Sequence, residues 1–508
     1  MSLLRGTLIL SLAALISKVL GSIFRVPLQN IAGDDVLGIF SLVYPVYMVT
    51  MTLAVAGIPL AISQLIAEAR AQGDDNQIKT IYQTASTLGV LFGIGSFIVI
   101  WVLSEPIAVL LGGRETEWAL IVVSSALLVV PFMAVYRGFF QGFQDMTQTA
   151  VSQVIEQLIR VVVMLVAAVV LVDMGMSDAR VAAGVMSGSI IGAVGSLIYL
   201  MVKFRRTQLV RFGFGGLTWG AFVYWSKRIL SRSIPIAVGT VTLAAVNVVD
   251  SLTVPFSLGA FGVGDVYETY GLYGRGQALI QVATVAATSL VLPLVPRMAE
   301  LLADGRDRDL RRVMARAYEL IHLVAWPVMI GLVVLTVPVN VALFTNASGS
   351  DVVFWLNVST GVTAFAVVSV GMLQGLERAK LAAGVVVVCL GLKALLNIGL
   401  VSAFGLVGAA WSTVVVFFVL MVWNHVLILR RFNGPPFWNK RNAQLLMAAV
   451  LMGVAIVILG QFVSGDDWTR GSALLYTMVM VGFGGAIYAG LCLLWGVIRL
   501  DQLPFRRN

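Results

Sequence analysis

Six charged side chains lie inside long apolar stretches of this 508-residue sequence. They are Lys18, Arg25, Glu156, Arg160, Asp250 and Lys393. Burying such a group at the centre of a bilayer costs at least about 2.5 to 3.5 kcal/mol, so each needs a partner, a wet cavity or a route to the surface. Four of the six are cations and two are anions, and this balance favours recognition of an anionic group.

The first apolar stretch carries two of these cations along one helical stripe. Lys18 and Arg25 are seven residues apart, and Ser11, Ser22 and Gln29 continue the same face at helical spacing. Arginine holds a phosphate through a planar fork, and lysine acts as a point charge. The stripe therefore predicts a cationic ladder for an anionic head group. The structural alternative is that Arg25 reaches the outer interface and Lys18 pairs with a neighbouring helix.

The remaining charged residues could form ion pairs within the protein or bind a substrate or ion. Glu156 and Arg160 are four residues apart, the spacing of an ion pair within one helix, so we expect either that pair or contact with a substrate. Asp250 is a candidate for ion coupling or for neutralising a cation of the first stretch. Arg275 begins a later apolar stretch and is predicted to be an interfacial anchor or a binding cation.

Fourteen apolar stretches must position these groups. Hydrophobic residues make up 59% of the chain and charged residues 12%, which is typical of a membrane protein. About 20 apolar residues suffice for a helix to cross the hydrocarbon core. The predicted spans are 3–31, 36–67, 82–103, 119–140, 151–172, 180–202, 229–256, 276–296, 317–344, 353–374, 382–403, 405–429, 443–463 and 472–498. The fold class is an all-α polytopic membrane protein.

Lysine and arginine fall in alternate gaps between these spans. The gaps on the side of the N-terminus hold 26 of them, including Arg137 at the end of the fourth span and Arg211, and the other side holds four. The positive-inside rule then predicts that both termini are cytoplasmic. The net charge of +9 describes a face that meets anionic lipid, and no nucleic-acid partner is expected.

The cysteines and histidines exclude other kinds of site. Cys389 and Cys492 both lie in apolar spans, so we expect neither a disulfide framework nor a cysteine-based metal site. His322 and His425 are isolated, and each is predicted to be a packed, hydrogen-bonded side chain rather than a proton relay. No cleavage signal follows the first span, which is expected to be a retained helix.

The chain also repeats itself at an offset of about 232 residues. Gln141-Gly142 matches Gln374-Gly375, and Arg160 matches Lys393 at an offset of 233. Six spans preserve orientation, so the repeat predicts two parallel six-helix lobes that rock about a central crevice, as in a transporter. The expected domains are 1–203 for the first lobe, 204–228 for a cytoplasmic linker, 229–431 for the second lobe and 432–508 for two additional spans. A symmetric substrate contact by Arg160 and Lys393 is predicted.

Several motifs resemble the multidrug/oligosaccharidyl-lipid/polysaccharide exporter superfamily, and within it the Gram-positive type of the MurJ, YtgP and SpoVB group of lipid-linked-sugar flippases. The resemblance covers essentially the whole chain. It depends on Leu4-Arg5-Gly6-Thr7, Ser17-Lys18-Val19-Leu20-Gly21 with Arg25, Ala56-Gly57-Ile58-Pro59 with Ser63 and Glu68, Glu156-Gln157 with Arg160-Val161, and Arg275-Gly276-Gln277 ahead of Leu292 to Pro296.

The resemblance implies a cationic cavity that receives the diphosphate of an undecaprenyl-linked sugar. On that basis Lys18, Arg25 and Arg275 match functional cations of the group, and Asp34 or Asp35 lies near a functional acid of the first outer loop. One departure is visible, because the proteobacterial MurJ pattern has an arginine late in the second span where this chain has Met51-Thr52-Leu53.

The predicted function is therefore a flippase that moves lipid II from the inner to the outer leaflet of the bacterial plasma membrane. Alternatives are a flippase for an exopolysaccharide, teichoic-acid or spore-cortex precursor, and a cation-coupled multidrug exporter. An enzyme acting on lipid-linked sugars is less favoured, because the longest outer gap is only about 257–275. We expect no catalytic residue, metal or cofactor. We do expect coupling to the membrane potential, Na⁺ or H⁺, and partners among cell-wall synthesis proteins.

Overall fold

The computed structural model describes residues 3–55, 57–207, 217–463 and 468–497. About 89% of the chain is helical, and these ranges contain no β-strand, which confirms the all-α prediction. Some predicted features lie outside the described residues. These are Ala56 of the third motif, the cations Arg211, Arg499, Arg506 and Arg507, and the side chains of Leu4 to Thr7 and of Ser11.

The helices follow one another with short connections. Their bounds are α1 Leu3–Ile23, α2 Arg25–Val55, α3 Ile58–Ala71, α4 Asp75–Val102, α5 Ser104–Leu110, α6 Glu115–Ser124, α7 Val130–Gly142, α8 Met146–Asp173, α9 Asp178–Arg206, α10 Trp219–Phe261, α11 Val266–Ala303, α12 Asp307–Val334, α13 Thr336–Phe344, α14 Ser350–Gly375, α15 Ala379–Phe404, α16 Leu406–Phe432, α17 Lys440–Val463 and α18 Arg470–Leu494.

Twelve helical segments of the described ranges are long and apolar enough to cross a membrane, by length and composition. One of them, Leu12–Ala71, is 60 residues long, or about 90 Å at 1.5 Å per residue, far more than one crossing needs. Bends interrupt it at Gly33, with φ 83°, and at Gly57, with φ 81°. The expected number of fourteen spans stays a prediction.

The apolar surface of these helices has the distribution expected in lipid. On α8, Leu158, Val162 and Val166 are exposed. The opposite face of the same helix buries Arg160 and Met164. Because this is the reverse of a soluble helix, the polar residues of α8 are held inside the protein while its valines face outward.

The chain divides into two compact units, Met1–Gly271 and Leu272–Asn508, and the division falls within α11. In the first unit α8 packs on α1 and α9, and α3 packs on α7. Helix α10, which the repeat assigns to the second lobe, packs against α2, α3 and α4 of the first unit. The predicted lobe boundaries at 203 and 229 come from the repeat rather than from contacts, and they stay a prediction.

In the second unit α14 and α16 form the centre, with α12 and α15 beside them. The two C-terminal helices join this unit, since α17 packs on α12 and α18 packs on α13. Leu445, Met452 and Tyr488 share their apolar core, and the hydroxyl of Tyr488 donates to the carbonyl of Leu323 at 3.0 Å.

Candidate functional site: buried cations of the first unit

Arg25 is the most deeply buried of the predicted binding residues in the first unit. It begins α2 and is 2% exposed. Its guanidinium lies over the ring of Phe40, with Cζ 5.5 Å from the ring centroid. The Nε and Nη1 groups find no acceptor among the described residues. A buried, charged group with unused donors is suited to receive an anion.

The predicted stripe is largely, but not uniformly, buried. Ser22 and Gln29 are 5% exposed, whereas the side chain of Lys18 is exposed. The hydroxyl of Ser22 donates to the carbonyl of Lys18 at 2.9 Å. The amide of Gln29 donates to the carboxylate of Asp34 at 3.3 Å. Arg25, at 2% exposure, is enclosed by the protein and does not extend to its surface, as the interfacial alternative would require.

Glu156 and Arg160 form the predicted ion pair within α8 through Oε1 and Nη2. The structure adds a second cation, Arg137 of α7, whose Nη2 lies 2.8 Å from Oε2 of Glu156. The side chains of Arg137, Glu156 and Arg160 are 13%, 12% and 9% exposed. The three side chains form a buried cluster in which one carboxylate is shared by two arginines.

The sequence grouped Arg137 with the cations of the gaps on the side of the N-terminus, but the residue does not lie in a gap between helices. It lies in the middle of α7, and its Nε donates to the hydroxyl of Ser152 at 3.0 Å. Arg137 therefore joins the charged residues that lie inside apolar helices. Its position three residues before the end of the predicted fourth span was the only signal in the sequence that could have identified it.

Tyr44 of α2 lies in the electrostatic environment of two buried arginines of this unit. It is an electrostatic neighbour of both Arg25 and Arg160, and its ring stacks on Phe40 at 5.0 Å between centroids. Tyr47, one helical turn later, is 1% exposed. Its hydroxyl has no hydrogen-bond partner among the described residues. Arg25 and Arg160 thus share Tyr44 as an electrostatic neighbour, and Arg25 also lies over the ring of Phe40.

Small residues hold α8 in place. A Cβ atom added at Gly192 of α9 would lie 2.6 Å from the carbonyl oxygen of Glu156, and one added at Gly188 would lie 2.6 Å from that of Arg160. On the other side, a Cβ at Gly21 of α1 would lie 3.0 Å from Nε2 of Gln157. Glycines at this spacing let membrane helices approach at backbone distance. The position of Arg160 therefore depends on close contact of α8 with both neighbours.

The acidic residues of the first unit occupy different surroundings. Asp35 lies just after the Gly33 bend, and Asp265, Asp178 and Glu268 are its electrostatic neighbours. Asp250 is 2% exposed in α10. The roles predicted for Asp34, Asp35 and Asp250 stay predictions.

Arg275 lies in the second unit and is fully buried, so it is not an interfacial anchor. Its Nη1 donates to Oδ1 of Asn346 at 2.8 Å and is 3.4 Å from Oδ1 of Asn340 and from the carbonyl of Ser348. The guanidinium also lies 5.3 Å from the centroid of the Phe344 ring. These contacts hold the connection between α13 and α14.

Lys393 of α15 also lies in the second unit and is fully buried. Its Nζ donates to Oγ1 of Thr413 at 2.6 Å. Thr413 itself donates to the carbonyl of Ala409 at 2.9 Å, so the hydroxyl of Tyr273, 2.9 Å away, donates to Thr413. Lys393 and its repeat counterpart Arg160 are thus both buried cations, held by different partners.

Curated relatives match nearly the whole chain. An uncharacterized membrane protein YabM of Bacillus subtilis is 28% identical over 99% of this chain and 94% of its own length. The lipid II flippase MurJ of the same organism is 25% identical over 96% and 94%. Its stage V sporulation protein B is 27% identical over 98% and 96%.

Solved structures share the fold. A lipid II flippase MurJ in an inward closed conformation superposes with a TM-score of 0.70, at 13% identity, over 96% of this chain and 98% of its own. A multidrug resistance MATE family transporter in an inward-facing conformation has a TM-score of 0.65, at 14% identity, over 82% and 94%. Residues 3–302 match the family described as polysaccharide biosynthesis protein. The chain therefore belongs to this family.

Proposed function

We propose that this protein is a flippase that moves an undecaprenyl-diphosphate-linked cell-wall precursor, lipid II, from the inner to the outer leaflet by alternating access. The observation that carries the proposal is Arg25, a buried guanidinium with donors that no described residue accepts. A diphosphate offers several anionic oxygens, and charge-assisted hydrogen bonds to them are about twice as strong as neutral ones. The lipid tail would stay in the bilayer.

The buried cluster favours an anionic cargo over a cationic drug. Both oxygens of Glu156 are held by arginines, so this carboxylate is not available to a cationic drug. The cluster of Arg137, Glu156 and Arg160 holds two cations against one anion, and Arg25 adds another buried cation to the first unit. A cell that is negative inside also favours outward movement of an anion by about 2.3 kcal/mol per charge per 100 mV. We propose this potential, with or without Na⁺ or H⁺, as the driving force.

A flippase for another lipid-linked polymer is the second candidate. It is supported by similarity to stage V sporulation protein B, which is as close to this chain as the MurJ relative. The uncharged Met51-Thr52-Leu53 segment of α2 also supports the second candidate, because the proteobacterial MurJ pattern has an arginine at this place. Both candidates require the same recognition of a diphosphate, so they differ only in the sugar.

The test is reconstitution in vesicles with fluorescent undecaprenyl-diphosphate-linked donors, followed by quenching with a membrane-impermeant reductant. We expect the wild-type protein to move lipid II. The Arg25→Gln variant should lower the initial rate at least about tenfold, and Arg25→Lys should retain part of it. Arg312→Gln is the matched control, because it removes one positive charge from a side chain that is 78% exposed.

Three results would contradict the proposal. Unchanged transport by Arg25→Gln would remove the role of the buried cation. Transport of another donor but not of lipid II would replace the first candidate by the second. Formation of polymer by the purified protein would instead indicate an enzyme.

A further inference from the structure

The shared carboxylate of Glu156 makes the charge of the buried cluster depend on Arg137. Arginine keeps its proton inside proteins, so Arg137, Glu156 and Arg160 together carry one net positive charge. Without Arg137, the remaining pair, Glu156 and Arg160, would be neutral. This difference of one charge has a large electrostatic effect on a bound anion, because a buried charge is weakly screened by water and salt.

The two arginines are not equivalent. Arg137 is bound by the protein on several sides, because Nε donates to Ser152 at 3.0 Å and Nη2 lies 3.2 Å from the hydroxyl of Ser196 and 2.8 Å from Glu156. Ser196 in turn donates to the carbonyl of Ser152 at 3.0 Å. Arg137 is therefore fixed where α7, α8 and α9 meet.

Arg160 makes fewer hydrogen bonds to the described residues than Arg137 does. Its Nη1 donates to Gln157 of the same helix at 3.2 Å, and Nη2 holds Glu156. Its Nε is buried and finds no acceptor among the described residues. Tyr44 and Tyr47 are electrostatic neighbours of Arg160, and its Nε is a donor left for a ligand.

We infer that Arg137 is a positioning residue that neutralises Glu156, so that Arg160 keeps its positive charge and an uncommitted N–H for the anionic head group. The inference rests on the proposed function. Arg137 itself does not touch the ligand. Its role is to set the charge of a group that does.

The test compares binding of undecaprenyl diphosphate and undecaprenyl monophosphate to the full-length protein in nanodiscs at low salt. Arg137→Gln lowers the net charge of the cluster from one to zero, and it should weaken diphosphate binding about tenfold or more. Arg137→Gln combined with Glu156→Gln returns the net charge to one, and it should restore affinity to within about threefold. The preference for diphosphate over monophosphate should fall and recover in the same order.

A purely structural Arg137 predicts the opposite for the double variant, because that variant loses more hydrogen bonds than the single one. Equal or greater weakening in the double variant would overturn the inference, as would unchanged affinity in Arg137→Gln. If Arg137→Gln does not fold, the Glu156→Gln variant provides the test, since it raises the net charge of the cluster from one to two. Tighter diphosphate binding supports the inference, and unchanged binding overturns it. Failure of the wild-type protein to bind either lipid would instead reject the proposed function.

Discussion

The indole N–H of Trp326 donates to Nδ1 of His322 at 2.7 Å. Indole nitrogen is only a donor, so Nδ1 must be the acceptor and the imidazole proton must be on Nε2. That proton points to the carbonyl of Phe437, 3.1 Å away. His322 is therefore a neutral side chain that joins α12 to the connection between α16 and α17. The sequence-based expectation of a packed, hydrogen-bonded histidine agrees with this geometry.

This relationship predicts the effect of removing the imidazole. His322→Ala should lower the melting temperature by several degrees, because it leaves the Trp326 donor unpaired and opens a cavity among aromatic rings. His425→Ala is the matched control and should cost less, since His425 has one hydrogen bond, to Tyr318 at 3.1 Å, and is only partly buried. Equal losses in the two variants would contradict this account. The chain has two histidines, so ¹⁵N-histidine NMR can also identify the Nε2–H tautomer directly.

The contact between α8 and α9 predicts a large effect of one methyl group. Gly192→Ala would place a Cβ 2.6 Å from the carbonyl of Glu156, so the helices must separate and Arg160 must move. We expect lower thermal stability and weaker binding of undecaprenyl diphosphate. Gly384→Ala on α15 is the control, because nothing lies within 4 Å of its added Cβ. That variant should be neutral or more stable, since alanine favours a helix by up to about 1 kcal/mol. Similar behaviour of both variants would show that the close contact is unimportant.

The carboxylates around Asp35 predict a stabilising substitution. Asp35→Asn removes one negative charge from a group that includes Asp178, Asp265 and Glu268. Like charges repel, so the variant should melt a few degrees higher than the wild type at neutral pH and low salt. The gain should shrink at 1 M salt, where the Debye length is about 3 Å. A variant that melts lower at low salt would indicate that Asp35 has a favourable partner.

Arg275 allows a structural role to be separated from a role in transport. Arg275→Gln should destabilise the second unit by about 1 to 3 kcal/mol, because it removes the hydrogen bond of the buried guanidinium to Asn346 and its contact with the ring of Phe344. Arg470→Gln should cost less, since Arg470 is exposed and makes a 3.3 Å bond to the carbonyl of Ala342. Loss of lipid transport with unchanged melting of Arg275→Gln would favour the predicted binding role over the structural one.

The sequence was informative where the signal lies within one helix. Arg25 and Gln29 are buried as their stripe predicts, and Glu156 pairs with Arg160 as their spacing predicts. Periodicity describes a single helix, so it could not identify Arg137, which reaches Glu156 from a different helix across the turn between α7 and α8. The contacts of Arg275 with Asn346 and Ser348 were also hidden, since they join residues more than 70 positions apart.

The bend at Gly33 has one further consequence. Arg25 lies on one side of this glycine, while Phe40, the ring that the guanidinium lies over, and Tyr44, which stacks on it, lie on the other side. The torsions of a single residue, φ 83° and ψ −178°, therefore set the angle between the cation and these rings. A side chain at position 33 would strain those torsions, so glycine at this position preserves the bend that sets the Arg25 guanidinium over the ring of Phe40.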